Sequence, residues 1–329
     1  MNSLSKLDMN HSFFQFPLDD DTKAAYTFYG PDGLYRFNRL VQGASSSSSE
    51  THERIRRILN GLEGVVQIKD DIVVHGKGQE HDIRLEKVMQ RLEEHGFTLN
   101  PIKCDLGKQS VEWFGMIFNK QGMSKDPRRV ETILNWPPPK DKKAVKSFLQ
   151  TVQFCQPFMK PDDGRSYADI THPLRRLTAL NVKFVWNKDC ERSFKELKTL
   201  LASDRVLANY EIGRDTRVWV DDAPLGLGAT LCQKHAVEGY DHEVWRPVWY
   251  TSRPKTPAEK EYGKVDGESL GIKFGILSNQ MYLHGTKFEV AVDHKPLLPM
   301  NNTHSRTLPV RVSKYKSQPT GCIRFQSTL

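Results

Sequence analysis

The chain has 329 residues, which is enough for two or three domains with separate cores. Its 38% hydrophobic content is lean for a globular protein but too high for a disordered one. The net charge of +8 suits a phosphate-bearing partner, and it suits an ordinary basic protein equally well. Five scattered cysteines without a CxxC pair exclude a zinc or disulfide framework, and no apolar run is long enough to span a membrane. We therefore expect an intracellular protein that is neither secreted nor embedded in a membrane.

The first part of the chain is predicted to be rich in strands. Segments 14–18 and 26–29 alternate apolar and polar residues and end in turn residues, which is typical of strands. A helix is predicted from Glu50 to Leu59, and the serine run 45–49 before it is predicted to be a loop.

The next segment is predicted to be a β-hairpin with acids at its tip. Val65–Ile68 and Ile72–Val74 flank the sequence Lys69-Asp70-Asp71. Apolar residues at helical spacing then predict a helix from Glu80 to His95, which Gly96 ends.

The second half of the chain follows the stiff segment Trp136–Pro139, which we interpret as a boundary. Helices are predicted at 142–154, 189–201 and 264–280, and strands at 217–220, 248–251 and 288–292. From His294 onward the chain contains basic residues but no acid. This tail is either a solvated basic segment or a contact for a nucleic acid backbone.

The adjacent acids Asp70 and Asp71 form the first candidate site. Two neighbouring carboxylates repel each other unless a cation lies between them, and Mg²⁺ prefers oxygen ligands. A third acid, Asp8, follows the short segment Leu4–Leu7. A pair of such ions can assist phosphoryl transfer, whereas the structural alternative is a plain polar turn.

The residues around these acids resemble the reverse transcriptase motifs of gypsy-type LTR retrotransposons, in the family's order and spacing. The similar segments are Leu7-Asp8-Met9-Asn10 with Phe13, Leu34–Leu40 with Gln42-Gly43, Ile68–Gly76, Phe97–Cys104, and Trp113-Phe114-Gly115. The resemblance covers nearly the whole chain and identifies it as a segment of a retrotransposon Pol polyprotein.

The resemblance implies a role for each matching residue. Asp8, Asp70 and Asp71 would bind catalytic Mg²⁺, or Mn²⁺, and Lys103 would protonate the leaving pyrophosphate. The incoming deoxynucleoside triphosphate would contact Phe13, which excludes a 2′-hydroxyl, together with Gln42 and Gly43. The primer end would be held by Trp113, Phe114 and Gly115. The structural alternatives are a core position for Phe13 and Trp113 and a surface charge for Lys103.

Some residues depart from the family pattern. Ile68 stands where many reverse transcriptases have Tyr or Phe, and the segment Thr51-His52 lacks the aromatic residue that is usual there. Val41-Gln42 replaces the Pro-Phe that is usual in this element type. Asp8 lies near the start, so we expect the fingers, which hold the triphosphate, to be absent.

A second group of acids could also converge on a metal pair. Asp221 and Asp293 each end a predicted strand, and Glu268 begins a helical segment, although plain surface acids remain the alternative. These segments resemble the RNase H-like domain of the same elements, which implies that Asp221, Glu268 and Asp293 are catalytic metal ligands. Asp222 stands where the family usually has Ala. No acid follows Asp293, so we expect the fourth ligand to be missing and the domain to be truncated.

We therefore predict an α/β fold with α+β character in three parts. These are a palm and thumb at 1–120, a helical thumb or connection at 121–205, and an RNase H-like domain at 206–329. The resemblance implies an RNA-directed DNA polymerase with RNase H activity whose partners are template-primer, RNA–DNA hybrid and deoxynucleoside triphosphates. We expect this polypeptide to be weakly active or inactive. The alternative is a catalytically dead remnant that binds nucleic acid, and the oligomeric state is left open.

Overall fold

The computed structural model describes residues 2–237, 239–292 and 323–327. The chain divides into two compact units, Met1–Lys120 and Gln121–Leu329. Each unit combines helices with sheets, which confirms the predicted mixed α/β class. Within the described ranges, no helix is both long and apolar enough to cross a membrane.

The first unit is built around an antiparallel sheet with strand order β4-β5-β1-β6. Its strands are β1 (Asn2–Asp8), β2 (Thr27–Gly30), β3 (Gly33–Arg36), β4 (Val65–Ile68), β5 (Asp71–Lys77), β6 (Asp105–Lys108), β7 (Ser110–Trp113) and β8 (Met116–Asn119). Its helices are α1 (Asp20–Ala25), α2 (Ser47–Leu59) and α3 (Gln79–Glu94), with a 3-10 helix at Ser12–Gln15. The pairs β2–β3 and β7–β8 form separate hairpins.

The core of the first unit lies between this sheet and the helices α2 and α3. It contains Leu7 and Ile72 from the strands, Ile55 from α2, and Val88 and Leu92 from α3. Side chains alternate between the two faces of a strand, so Lys6 and Asp8 lie on the face of β1 away from this core. The alternation therefore places the predicted catalytic acid outside the packed interior.

Two local predictions for the first unit are wrong. Residues 14–18 do not form a strand, because Ser12–Gln15 form a 3-10 helix and Pro17 forms only an isolated bridge with Arg39. Pro17 has no N–H to donate, which limits strand pairing there. The serine run is not a loop throughout, since α2 begins at Ser47, and serine suits a helix start.

The second unit contains a mixed sheet with strand order β12-β11-β10-β13-β14. Its strands are β9 (Gly122–Lys125), β10 (Thr216–Asp222), β11 (Gly226–His235), β12 (Val244–Pro254), β13 (Phe288–Val292) and β14 (Ile323–Ser327). Its helices are α4 (Pro127–Leu134), α5 (Lys142–Gln153), α6 (Tyr167–Leu177), α7 (Lys188–Ala202), α8 (Pro257–Lys260), α9 (Lys264–Ser278) and α10 (Gln280–Leu283), with a 3-10 helix at Gln156–Phe158. Strands β10, β11 and β12 are antiparallel, and β13 and β14 run parallel to β10.

Helices α4 to α7 share one hydrophobic core. Ile133 of α4, Phe148 of α5, Leu174 of α6 and Leu197 of α7 are all fully buried in it. The proline segment after Trp136 joins α4 to α5 and therefore lies within this core arrangement. The boundary between the two compact units is earlier in the chain than this proline segment, between Lys120 and Gln121.

Helix α9 approaches strand β10 very closely through a row of glycines. A Cβ atom on Gly271 would lie 2.8 Å from Val220 Cγ1, and one on Gly275 would lie 3.0 Å from Val220 Cγ2. Gly267, one turn earlier, faces Asp222 in the same way. The three glycines recur every four residues and so line one face of the helix. This row of glycines sets the short distance between the sheet and α9, the helix that contains Glu268.

Candidate active sites

The first group of acids comes together at one end of the sheet in the first unit. Asp8 ends β1 and lies directly opposite Asp71, the first residue of β5. Directly opposed residues of antiparallel strands project from the same face, so these two carboxylates are neighbours. Asp70 occupies the adjoining turn, because Ile68 pairs with Asp71 and leaves only Lys69 and Asp70 in the loop. Asp71 is thus a strand residue, whereas the sequence placed it at the hairpin tip.

Each of these three carboxylates has one polar or cationic partner. Lys6 Nζ lies 3.9 Å from Asp71 Oδ1, and Lys103 Nζ lies 3.9 Å from Asp8 Oδ1. The hydroxyl of Ser12 donates a hydrogen bond to Asp70 Oδ2 at 3.1 Å. Lys103 therefore lies beside the acids, as the resemblance implied, while the roles of Lys6 and Ser12 were missed. Lys6 could have been found, since it lies two residues before Asp8 on the same strand face.

The electrostatics at Asp71 reflect its burial and the two neighbouring acids. Partial burial raises the pKa of Asp71, and the nearby carboxylates Asp70 and Asp8 raise it further. Lys6 and Lys103 lower that pKa, but the net shift is upward. A divalent cation would relieve this repulsion, and its preferred ligands are carboxylate oxygens. The donor chemistry of the three acids therefore fits Mg²⁺ or Mn²⁺.

The acids are nevertheless not arranged as a complete metal-binding site. Among the residues that the structure describes, no three carboxylate, imidazole or thiol side chains are gathered closely enough to hold an ion. The lysine contacts of Asp8 and Asp71 are long, and Lys103 is largely exposed. Side-chain movement, without a change in the backbone register, would be needed to coordinate a cation.

The predicted nucleotide-binding residues lie at the edge of the same unit. Phe13 is in the 3-10 helix that follows Asp8 and packs against the core. Gln42 and Gly43 are exposed, and Gly43 has a φ of 93°, a conformation that favours glycine. Phe13 is therefore partly buried against the core, and its contact with a nucleotide stays a prediction.

The predicted primer-binding residues form the turn of the β7–β8 hairpin. Trp113 pairs with Met116, so Phe114 and Gly115 are the two turn residues. Both have left-handed φ angles, 52° and 67°, as in a type I′ turn. The Trp113 ring packs edge-on against Phe114 and Phe118, with centroid distances of 5.4 and 5.7 Å.

The hydrogen-bonded residues Ser5, His81 and Asp82 of the first unit are of the types that form a hydrolytic triad, with Ser5 and His81 buried and Asp82 exposed. Ser5 Oγ is 2.9 Å from His81 Nε2, and His81 Nδ1 is 2.9 Å from Asp82 Oδ1. Ser5 is fully buried and its hydroxyl also accepts the N–H of Gly107 at 2.9 Å. No substrate can reach that oxygen, so these three residues are a structural link between β1, α3 and β6.

In the second unit, strand β10 places Asp221 and Asp222 on opposite faces of the sheet. Val220 contacts the glycine row of α9, and Asp222, two residues on, faces Gly267. Asp221 pairs with Gly228 and lies on the other face, with Trp219. Asp222 is therefore the acid that abuts the first turn of α9. The metal-binding role of Asp221 stays a prediction.

Two lysines neutralise acids at this end of β10. Lys255 Nζ lies 2.5 Å from Asp222 Oδ1, and both side chains are less than 10% exposed. Lys264 Nζ lies 2.9 Å from Glu268 Oε1, whose side chain is 3% exposed. The hydrogen bond to Glu268 raises the pKa of Lys264, and the charges of Asp222 and Asp221 add to this effect.

Neither lysine was identified as a partner from the sequence. Lys255 is distant from Asp222 along the chain, whereas Lys264 lies one helical turn before Glu268 and could have been found from that spacing. The charge of Asp222, which departs from the family pattern, is matched by the buried ammonium group of Lys255. The third predicted ligand, Asp293, lies outside the described residues.

Comparison with known proteins gives a family match within each unit. Residues 2–118 match the family "Reverse transcriptase (RNA-dependent DNA polymerase)", and residues 186–290 match "RNase H-like domain found in reverse transcriptase". The fold is similar to that of a foamy viral protease-reverse transcriptase in complex with double-stranded DNA, with a TM-score of 0.82, 20% identity, and coverage of 99% of this chain and 56% of that one. The form in complex with RNA/DNA hybrid has a TM-score of 0.80, 20% identity, and coverage of 99% and 44%. The two family matches thus assign a reverse transcriptase domain to residues 2–118 and an RNase H-like domain to residues 186–290.

The curated relatives are retrotransposon polyproteins. The Pol polyprotein from transposon 412 of Drosophila melanogaster is 27% identical over 94% of this chain and 24% of its own length. The transposon Tf2-3 polyprotein of Schizosaccharomyces pombe is 24% identical over 95% of this chain and 23% of its own length. The chain is similar to retrotransposon Pol polyproteins over nearly its whole length, as its motifs indicated, and it spans about a quarter of the length of these relatives.

Proposed function

We propose that the first unit is the catalytic palm of an RNA-directed DNA polymerase and that Asp8, Asp70 and Asp71 bind its divalent cations, Mg²⁺ or Mn²⁺. The observation that carries the proposal is the direct opposition of Asp8 and Asp71 across β1 and β5, with Asp70 in the next turn. When bound, two such ions would stabilise the attacking and the leaving oxygens of a phosphoryl transfer.

The residues of the chain would have separate roles in that reaction. The primer 3′-hydroxyl attacks the α-phosphorus of a deoxynucleoside triphosphate, a new P–O bond forms, and pyrophosphate leaves. Lys103, beside Asp8, would give its proton to the leaving pyrophosphate. Phe13 would form the wall that excludes a 2′-hydroxyl, and Gln42 and Gly43 would contact the nucleotide. The turn of Phe114 and Gly115, supported by Trp113, would hold the primer end.

For the second unit we propose cleavage of RNA in RNA–DNA hybrids by Asp221, Glu268 and Asp293. Asp221 lies on the opposite sheet face from Asp222, but its charge still acts on Lys264, the partner of Glu268. The support is the strand order of the sheet together with the match to the RNase H-like family. Template-primer and hybrid are the proposed partners, since related folds are seen in complex with double-stranded DNA and RNA/DNA hybrid.

A second candidate function is nucleic acid binding without catalysis. One observation favours it for the second unit. Lys264 already neutralises Glu268 and Lys255 already neutralises Asp222, so a metal ion would gain less electrostatic stabilisation at this site. An ammonium group next to a carboxylate competes with a cation for the same oxygen atoms.

Primer extension tests the two candidates against each other. The 329-residue chain is incubated with an RNA template, a DNA primer and deoxynucleoside triphosphates in Mg²⁺ or Mn²⁺. Asp70→Asn should remove any extension, whereas Asp32→Asn, in the exposed turn between β2 and β3, should leave it unchanged. Extension that survives Asp70→Asn would refute the assignment of the acids. Binding of template-primer without extension would favour the second candidate.

A further inference from the structure

The turn that carries Asp70 has a backbone conformation that its sequence does not favour. Lys69 is the first of the two turn residues between β4 and β5, and its φ is 57°. Two-residue hairpin turns with a positive φ at this position usually have glycine there, since a Cβ atom is strained in that region. Something outside the turn must therefore stabilise Lys69.

The stabilising contact comes from helix α2. The backbone N–H of Lys69 donates a hydrogen bond to His52 Nδ1 at 3.1 Å. Gln67, on β4, reinforces the link because its Nε2 donates to the carbonyl oxygen of Lys69 and reaches the carbonyl oxygen of His52 at 3.4 Å. The same Nε2 lies 3.1 Å from His52 Nδ1. Helix, strand and turn are thus joined at one point.

Helix α2, which contains His52, is held in place by its buried residues. Thr51, Ile55 and Leu59 are buried, and Ile55 is fully inaccessible in the core of the first unit. His52 follows Thr51 directly and is half-buried. Its ring therefore has little freedom to move away from the turn.

We propose that His52 is a positioning residue for the candidate metal site. Its Nδ1 holds the left-handed turn at Lys69 and so keeps Asp70 beside Asp8 and Asp71. A phenylalanine ring could fill the same space but could not accept the Lys69 N–H, so the hydrogen-bonding nitrogen is the functional part. This inference rests on the proposed metal-binding role of Asp70.

The test compares three variants by two independent measurements. His52→Phe removes the acceptor, His52→Asn offers an amide oxygen at a similar place, and Lys69→Gly removes the strain at the turn. The first measurement is hydrogen exchange of the Lys69 amide by NMR, which needs no metal. The second is the affinity for Mn²⁺, with His95→Phe at the end of α3 as the control.

We expect His52→Phe to speed Lys69 amide exchange about tenfold and to weaken Mn²⁺ binding about 10- to 100-fold, the usual range for an outer-shell partner of a metal ligand. His52→Asn should restore most of both values, and Lys69→Gly should recover much of the Mn²⁺ affinity in the His52→Phe background. His95→Phe should change neither measurement.

Unchanged Lys69 exchange in His52→Phe, or an Asn variant as defective as the Phe variant, would overturn the positioning role. A rise in exchange at every amide of the first unit would also overturn it, because the loss would then be general unfolding. If the wild-type chain binds no Mn²⁺, the proposed metal site fails, and the exchange measurement alone then decides the role of His52.

Discussion

The non-glycine residues that have a left-handed backbone conformation lie in segments that carry the candidate polymerase site. Among the described residues it occurs at His11, Lys69 and Phe114. His11 directly precedes Ser12, the partner of Asp70, while Lys69 is in the turn that contains Asp70 and Phe114 is in the turn of the predicted primer-binding hairpin. Strained conformations of this kind persist when surrounding structure enforces them, and they cluster at functional sites.

The acids of both sites could be found from the sequence, but partners from distant segments could not. Asp70 and Asp71 are adjacent and flanked by strands, which is a local pattern. Ser12 reaches Asp70 and Lys255 reaches Asp222 only after distant segments pack together. The His52 contact is of the same kind, since the sequence shows only that an aromatic residue is missing there.

The ion pair between Lys255 and Asp222 gives a first prediction at the residue scale. Lys255→Met would leave a buried carboxylate without a counter-charge, so the free energy of unfolding should fall by about 3–5 kcal/mol. The double variant with Asp222→Ala should recover most of that loss. Urea unfolding at neutral pH measures both. A Lys255→Met variant as stable as wild type would contradict the buried pairing.

A second prediction concerns Glu259, which closes the capping box at the start of α8. Arg253 donates hydrogen bonds of 2.7 and 2.8 Å to its two oxygens, and these contacts lower the pKa of Glu259 from 4.5 to about 2. Its charge therefore stabilises the fold above the ordinary pKa, and this contribution is lost as the pH falls toward about 2. Glu259→Gln should cost about 2 kcal/mol at pH 7.

The measurement for Glu259 is urea unfolding across that pH range. The difference between wild type and Glu259→Gln should shrink as the pH drops from 4.5 to about 2. Glu261→Gln, at an exposed acid nearby, should show little difference at any pH. A constant difference for Glu259→Gln would show that its charge is not the stabilising feature.

At the scale of elements, strong periodic patterns predicted the structure well. Helix α3 and strand β4 were predicted within one residue, because apolar spacing and turn chemistry agree there, whereas β5 continues to Lys77, beyond the predicted end at Val74. Alternating apolar residues at 14–18 suggested a strand where a 3-10 helix forms. The glycine row of α9 was not predicted, because the need for small residues there comes from the close packing of β10 against α9 and not from the helix itself.

This close approach gives a prediction for α9. Gly271→Ala would put a Cβ atom 2.8 Å from Val220 Cγ1, so overpacking should lower the free energy of unfolding by about 1–3 kcal/mol, less the gain in helix propensity. In a Val220→Ala background the same change should cost much less, because the clashing methyl is gone. Unfolding of the four proteins measures this coupling, and an equal cost in both backgrounds would refute it.

At the scale of the whole molecule, the net charge of +8 supports contact with a phosphate backbone. We predict binding to RNA–DNA hybrid that does not depend on base sequence and weakens steeply as salt rises from about 50 to 200 mM, because counterions are released on binding. Fluorescence anisotropy with two hybrids of unrelated sequence measures both properties. Affinity that does not change with salt would contradict an electrostatic interface.

The most direct test of the palm assignment is Mn²⁺ binding by the wild-type chain and by Asp70→Asn. Asp8 and Asp71 are directly opposed and Asp70 lies in the adjoining turn, and burial together with the neighbouring carboxylates raises the pKa of Asp71. Mn²⁺ takes the same oxygen ligands as Mg²⁺ and can be counted by electron paramagnetic resonance. Wild type should bind Mn²⁺, and Asp70→Asn should weaken that binding at least about tenfold, while Asp32→Asn leaves it unchanged. Equal binding by wild type and Asp70→Asn, or none by either, would contradict the assignment.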